Sequence, residues 1–124
     1  MTSSPALDRL KKRSDFLRLA KSSRKWAATG LVLQAAPRRA EDQGLPVRYG
    51  LTVSRKVGGA VVRNRARRRL RAAACAVLPE HAAPGHDFVL IGRPATVDRP
   101  YPALLEDLAS ALRRVGAWRE GPAA

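Results

Sequence analysis

The sequence has little cysteine, few aromatic residues, few acids and no long apolar run. One cysteine in 124 residues excludes an internal disulfide, and the first residues lack the charged-then-apolar pattern of a secretion signal. We therefore expect a cytoplasmic protein. The longest apolar stretch near the middle, Ala72 to Pro79, is far shorter than the roughly 18 residues that span a membrane, so we expect the chain not to cross a membrane.

Aromatic residues make up only 5% of the chain, while hydrophobic residues make up 45% and include 22 alanines. This length and composition suit one domain with a modest hydrophobic core. We expect a disordered lead over residues 1–8, a single domain over residues 9–116 and a frayed tail over residues 117–124.

The scarce acids and the few nucleophiles do not form a recognisable active site. The ten acids are dispersed along the chain, whereas a metal-dependent nuclease needs clustered carboxylates. Cys75 has no evident partners for a catalytic triad, and His81 and His86 lack the spacing of zinc ligands. We therefore expect no catalytic residue and no metal ligand on the protein, and no small-molecule substrate.

Positive charge is abundant: 24 Lys and Arg residues oppose 10 acids, giving a formal net charge of +14. Nine of these cations lie between Arg48 and Arg71, and the stretch from Gln43 to Pro79 contains no acid. Such an excess destabilises a compact chain unless a polyanion neutralises it. Charge alone makes nucleic acid the leading candidate partner and an anionic membrane surface the second; we expect the nucleic acid and no membrane partner.

Hydrophobic periodicity and turn residues predict a mixed α and β chain. Ser14 is the expected N-cap of the first helix, and Pro79 the expected end of the second. The predicted strands cover residues 30–35, 47–53 and 86–92, and the predicted helices cover residues 15–21, 60–78 and 101–115.

The second predicted helix begins after a Gly58-Gly59 turn and has two unlike faces. Val62, Ala66, Leu70, Ala73 and Val77 fall within an 80° arc, given 100° per residue, and form the predicted buried stripe. The wider opposite face carries most of the six arginines found between residues 63 and 71. A charge run is usually a solvated surface, but this density without acids favours nucleic-acid binding.

The residues around this helix resemble a known family signature. The stretch over residues 47–71, VRYGLTVSRKVGGAVVRNRARRRLR, is similar to that of the bacterial ribonuclease P protein family: a strand ending Ser-x-Lys, then Gly-x-Ala-Val-x-Arg-Asn-Arg and more basic residues. The similarity extends to Arg9–Phe16 and to Asp87–Ala95. It implies an α+β two-layer sandwich, with a four-stranded sheet, three helices and a left-handed βαβ crossover.

The resemblance also implies a function. Members are protein subunits of a ribonucleoprotein endonuclease that removes the 5′ leader from precursor tRNA. Catalysis belongs to the RNA subunit with its Mg²⁺ ions, and the protein raises the affinity for substrate and Mg²⁺. Matching positions place these residues against the RNA subunit: Lys56, Arg63, Asn64, Arg65, Arg67, Arg68 and Arg71.

The family has a second surface, a cleft between the first helix and the sheet that receives the single-stranded leader. By position, the leader-binding candidates here are Phe16, Leu31, Leu33 and Arg48. Aromatic residues that the family often has in the cleft are absent at Ala20, Leu31 and Gln34, so leader binding should depend less on stacking. A lone aromatic on a short helix is also commonly buried, which leaves a core role open for Phe16.

Two other functions fit the same charge. A basic ribosomal protein with a structural role in binding ribosomal RNA is the main alternative. A DNA-binding protein is less favoured, because the sequence shows neither a helix-turn-helix pair nor dimerisation heptads.

Overall fold

The computed structural model describes residues 7–22, 24–38 and 47–120, which form a mixed β-sheet with helices on both faces. The strands are β1 Leu7–Arg9, β2 Lys25–Ala27, β3 Leu31–Pro37, β4 Val47–Thr52 and β5 His86–Gly92. The helices are α1 Arg13–Lys21, α2 Ala60–His81 and α3 Tyr101–Arg114, and a short 3₁₀ segment spans Pro94–Val97. The α+β class and the three helices are confirmed.

The sheet has the strand order β1-β4-β5-β3-β2. Strands β4 and β5 are parallel neighbours joined by α2, which is the predicted βαβ unit. Strand β1 is parallel to β4, while β3 pairs antiparallel with β5 and with β2. The described sheet has five strands, whereas the resemblance implied four. Three are the strands predicted from the sequence, and two three-residue strands, too short to show a periodic pattern, extend its edges.

The core lies mainly between the sheet and the pair α2 and α3. Leu31, Leu33 and Ala35 of β3 face this layer together with Phe88 and Leu90 of β5. Ala36 of β3 and Val89 of β5 face the other side of the sheet, where they form a smaller cluster with Leu10 and with Leu19 of α1. Strict alternation along the strands thus assigns each side chain to one of two unequal cores.

The helix boundaries differ from the predicted ones by more than one residue at two ends. Helix α1 starts at Arg13, and its N-cap is Lys12 rather than Ser14, with no capping side chain. Helix α2 continues past Pro79 to His81. A proline in the last turn costs one hydrogen bond only, and the Ala82 amide still donates to the Leu78 carbonyl over 3.0 Å.

Both chain ends are more ordered than predicted where the structure describes them. Residues 7 and 8 belong to β1 instead of a disordered lead, and residues 1–6 lie outside the described part. Ala117 is fully buried, and Trp118 forms an isolated bridge with Ala82. Residues 117–120 therefore pack against the end of α2 instead of fraying; residues 121–124 are not described.

Candidate nucleic-acid interface

Helix α2 directs a row of polar side chains away from the core. Asn64, Arg65, Arg68 and Arg71 are exposed, and their helical positions lie within a 120° arc opposite the buried stripe. We call these four residues the α2 basic face. The stripe itself is buried at Ala66, Leu70, Ala73 and Val77, while Val62 is half-buried. Arg68 and Arg71 are thus free to meet a polyanion. Arg65 donates from Nε to the Val97 carbonyl over 3.1 Å and keeps its other guanidinium N–H groups at the surface.

The remaining arginines of the run are partly buried and have other contacts. Arg69 donates hydrogen bonds from Nε to the Thr96 carbonyl (2.9 Å) and from Nη2 to the Arg99 carbonyl. Arg67 donates to Asn64 Oδ1 over 3.0 Å. The Nε of Arg63 is buried and makes no hydrogen bond within the described residues. The run therefore combines side chains that hold the fold with side chains that face solvent.

Lys56 lies in the turn between β4 and α2, beside the start of the basic run, and its side chain is exposed. The Ser54 carbonyl accepts from the Val57 amide at 3.1 Å, and the Ser54 hydroxyl accepts from the Lys56 amide at 3.3 Å. Gly58 follows with φ +154°, where a Cβ would approach Val62 to 2.8 Å. A glycine is required there, and the turn sets Lys56 next to the first turn of α2.

A groove of about 340 Å³ runs between α1 and the sheet. Helix α1 contributes residues at the spacing i, i+3, i+4, i+7, which places them on one face. The groove crosses β4, β5 and β3 in turn, because Thr52 pairs with Ile91 and Val89 pairs with Gln34. Its lining residues are Arg13, Phe16, Leu17, Ala20, Gln34, Thr52, Val89 and Ile91. We call it the α1 groove.

Phe16 is half-buried and has both of the roles considered for it. Its ring lies over Gly50, where a Cβ would come within 2.5 Å of ring carbons, and it packs on the small core beneath α1. It also lines the α1 groove. Ala20 and Gln34 line the groove too. At these two positions, where the family often has an aromatic residue, the groove therefore lacks an aromatic ring.

The placement of Leu31 and Leu33 in the leader cleft is wrong. Both side chains are 0% exposed and belong to the large core under α2 and α3, on the opposite face of the sheet from the groove. The reason is that successive side chains of a β-strand point to opposite faces of the sheet. Because Gln34 faces α1, Leu33 and Leu31 face the other side.

Arg48 also lies outside the groove lining, because its guanidinium is engaged in a buried ion cluster. Arg48 donates to Asp87 from Nε (3.0 Å) and Nη2 (2.7 Å), and its Nη1 is 3.8 Å from Asp15. Arg18 reaches Asp87 at 2.5 Å and Asp15 at 3.3 Å, and Arg38 reaches Asp87 at 3.3 Å. The cluster comprises Asp15, Arg18, Arg38, Arg48 and Asp87.

The cluster fixes the helix that forms one wall of the groove. Arg18 additionally donates to the Pro37 carbonyl at 2.7 Å, so α1 is tied to β3, β4 and β5 at one point. Asp87 is fully buried. Burial alone would raise its pKa, but hydrogen bonds from Arg48 and Arg18 outweigh this effect and lower the pKa. The carboxylate therefore stays charged and holds three cations.

Sequence reasoning missed several residues that shape this site. Arg13, Leu17 and Thr52 line the groove, and the i, i+4, i+7 spacing of Arg13, Leu17 and Ala20 was a signal that could have identified its helical wall. The pairing of Asp87 with Arg18 and Arg38 joins positions far apart in the chain, and no local pattern indicates it.

The cysteine and the two histidines considered above as chemical groups lie close to other side chains of the protein. Cys75 is exposed beside the buried Tyr49, and burial, together with Cys75, raises the pKa of the Tyr49 phenol. His81 stacks on Trp118 with ring centroids 4.2 Å apart, and His86 Nε2 lies 3.0 Å from Arg24 Nη1. Within the described residues, no group of three or more His, Cys, Asp or Glu side chains is placed to hold a metal ion.

None of the described helices combines the length and the apolarity needed to cross a bilayer.

Known proteins resemble this chain in both sequence and structure. A family profile described as Ribonuclease P matches residues 5–116. The ribonuclease P protein component of Paramagnetospirillum magneticum is 60% identical over 119 residues, covering 95% of this chain and 90% of that protein. The corresponding protein of Ruegeria pomeroyi is 53% identical over 110 residues, covering 87% and 86%.

Solved structures give the same result at lower identity. The RNase P protein of Staphylococcus aureus superposes with a TM-score of 0.72 at 26% identity, covering 90% of this chain and 97% of that one. The RNase P protein of Thermotoga maritima superposes with a TM-score of 0.69 at 26% identity, covering 86% and 96%.

Proposed function

The chain belongs to the ribonuclease P protein family, and we propose that it acts in the cytoplasm as the protein subunit of the ribonucleoprotein that removes the 5′ leader from precursor tRNA. The observation that carries this proposal is the adjacency of two surfaces. Thr52 lines one end of the α1 groove, and the chain continues from it directly into the turn of Lys56 and then into α2. One protein surface can thus contact a structured RNA and a single strand together.

The α2 basic face is proposed to bind the RNA subunit. Arg65, Arg68 and Arg71 present planar guanidinium groups that match phosphate oxygens, and Lys56 adds a cation at the start of the helix. Asn64 is exposed between them, with donor and acceptor atoms for sugar or base edges. Arg63 and Arg67, at the margins of the face, are placed to contribute at its border.

We propose that the chemistry belongs to the RNA subunit, which holds the Mg²⁺ ions for the most part. Mg²⁺ takes oxygen ligands in near-octahedral geometry, and the α2 basic face presents guanidinium groups and one amide instead of carboxylates. The protein would act indirectly: neutralising phosphates reduces the repulsion within the folded RNA, which strengthens its binding of Mg²⁺ and of the precursor.

The α1 groove is proposed to hold the leader. Its apolar lining, with Phe16 at the β4 end, suits the faces of unstacked bases, and Arg13 supplies a cation for the phosphates. Because Ala20 and Gln34 stand where an aromatic ring would stack, each base in the groove should gain less stacking energy than on an aromatic platform.

The decisive experiment measures precursor-tRNA cleavage by ribonuclease P RNA at low Mg²⁺, with and without the purified protein. We expect clear stimulation by the protein and none by a polyarginine of matched charge, since the surface is specific and not merely cationic. A protein that leaves cleavage unchanged but binds ribosomal RNA tightly would support the ribosomal alternative. Preference for duplex DNA in competition would support the DNA-binding one.

A further inference from the structure

The outer strand β2 presents a partly exposed tryptophan. Trp26 is 38% exposed, and the three residues of β2 all lie at the surface. Trp26 pairs with Leu33, so its side chain points to the α3 face of the sheet, beyond the edge of the core. The Arg114 guanidinium lies 4.8 Å from the centre of the indole ring, which leaves the rest of the ring available to solvent.

The surroundings of Trp26 are cationic. Lys25 precedes it with an exposed side chain, and Arg113 lies beside Arg114 with its guanidinium 4.1 Å from the Trp118 ring centre. The sequence contains no acid between residues 16 and 40 or between residues 108 and 119. An aromatic face beside unneutralised cations fits a single strand of nucleic acid, in which bases stack and phosphates pair with the cations.

The strand register connects this edge to the α1 groove. Lys25 pairs directly with Gln34, and opposed residues in antiparallel strands have their side chains on the same face, about 5 Å apart at Cβ. Gln34 lines the end of the groove away from Thr52. A strand that leaves the groove past Gln34 therefore meets Lys25 first, and then Trp26 and Arg114 as it turns around the edge.

We propose that Lys25, Trp26 and Arg114 form a second leader site, the β2 edge site, which binds leader nucleotides farther from the cleavage point than those in the groove. This inference rests on the proposed function. The groove begins near the α2 basic face, where the RNA subunit would sit, and ends at β2. The nucleotides that reach β2 are therefore the distal ones, and only long leaders have them.

The site should stack a base on Trp26 without reading its identity, because every base has a π-face. Lys25 and Arg114 would pair with the flanking phosphates. Pairing with a second copy of the chain is less favoured, because β2 offers only three residues for a ladder and the adjacent cations of two copies would repel each other.

The test uses the reconstituted holoenzyme and precursors whose leaders are lengthened one nucleotide at a time. With the wild-type protein, the affinity for the precursor should rise as the leader fills the α1 groove. It should rise a second time once the leader extends beyond the groove. Trp26→Ala, and separately Lys25→Gln with Arg114→Gln, should abolish this second rise, a loss of about five- to tenfold for long leaders and none for short ones. Tyr101→Ala, a change at an aromatic side chain of similar exposure (39%), is the matched control.

The short-leader precursors show whether each variant folds, because a misfolded protein would lose affinity for every length. Equal losses at all leader lengths by the folded variants, or wild-type affinity that stops rising at the groove, would overturn the β2 edge site. In a Trp118→Phe background, the fluorescence of Trp26 should respond to long leaders and not to short ones. If the wild-type holoenzyme binds no precursor better than the RNA subunit alone, the proposed function fails instead.

Discussion

Oδ2 of Asp87 lies 2.7 Å from Nη2 of Arg48, and neither side chain is more than 14% exposed. The two residues stand opposite each other on the parallel strands β4 and β5, so the ion pair is held by the sheet itself. The pair explains why Arg48, a predicted leader contact, serves the scaffold instead: its guanidinium fixes the carboxylate that also binds Arg18 of α1.

Replacing Asp87 by Asn should destabilise the protein strongly. The change leaves Arg18, Arg38 and Arg48 without their shared buried carboxylate, and breaking a buried pair from one side costs about 3 kcal/mol or more. Urea unfolding would measure the loss. Asp98→Asn, at an exposed aspartate, is the control and should change the unfolding free energy by less than about 0.5 kcal/mol. An equal effect of both substitutions would contradict the role of the cluster.

The same carboxylate makes stability depend on acid pH. Burial acts to raise its pKa in the folded protein, but hydrogen bonds from Arg48 and Arg18 outweigh burial and lower the pKa; an unfolded aspartate titrates at about 3.9. The stabilisation is therefore complete above that value and is lost as the pH falls through the lower folded pKa. Unfolding free energies measured from neutral pH down to about pH 2, which extends below the pKa of an unfolded aspartate, should fall at the acid end, and Asp87→Asn should flatten that decline. Parallel curves for both proteins would refute this.

Removing two cations from the α2 basic face should weaken binding to the RNA subunit in a salt-dependent way. Arg68→Ala with Arg71→Ala deletes two exposed guanidinium groups, and each lost phosphate contact lowers the slope of log K against log salt by about 0.7 to 0.9. Filter binding at several salt concentrations gives the slope. Arg119→Ala removes a cation that lies against the C-terminal end of α2, and it should leave the slope unchanged. An unaltered slope in the double variant would show that these arginines do not contact phosphate.

Arg69→Ala should lower the stability of the protein and leave the slope of log K against log salt unchanged. The side chain donates to the carbonyls of Thr96 and Arg99, so its loss leaves two partly buried acceptors without a partner, a cost of about 1 to 2 kcal/mol. Thermal unfolding would measure this cost, and the binding assay would measure the slope. A reduced slope with unchanged stability would assign Arg69 to RNA contact.

Substitutions of Phe16 and Leu33 should have different effects, because Phe16 lines the α1 groove and Leu33 lies in the closed core. Phe16→Ala removes an apolar groove wall and should weaken the affinity for precursors that carry a leader more than for mature tRNA. Leu33→Ala, in the closed core, should cost about 2 to 5 kcal/mol of stability without altering that preference in the folded fraction. Affinities for precursor and mature tRNA, measured with holoenzyme at a temperature where both variants are folded, decide between them.

Patterns within short stretches of sequence determined most of the architecture. The buried stripe and polar face of α2, the strand at residues 86–92 and the helix beginning at Tyr101 follow from periodicity, because burial on one side imposes a repeat that local sequence can show. The exposed arginines of the α2 basic face were predictable for the same reason. The three-residue strands β1 and β2 were not, since their pairing depends on partners distant in the chain.

The tertiary structure decided which cations are available to bind RNA and which are held by contacts within the protein. Arg48, Arg68 and Arg69 are alike as residue types, yet Arg48 neutralises Asp87, Arg69 binds carbonyls of the segment before α3, and Arg68 faces solvent. Likewise, only the register of β3 showed that Leu31 and Leu33 face the core while Gln34 faces the groove. Charge and apolarity are properties of the sequence; whether a side chain meets a protein partner or solvent depends on the long-range packing that places it.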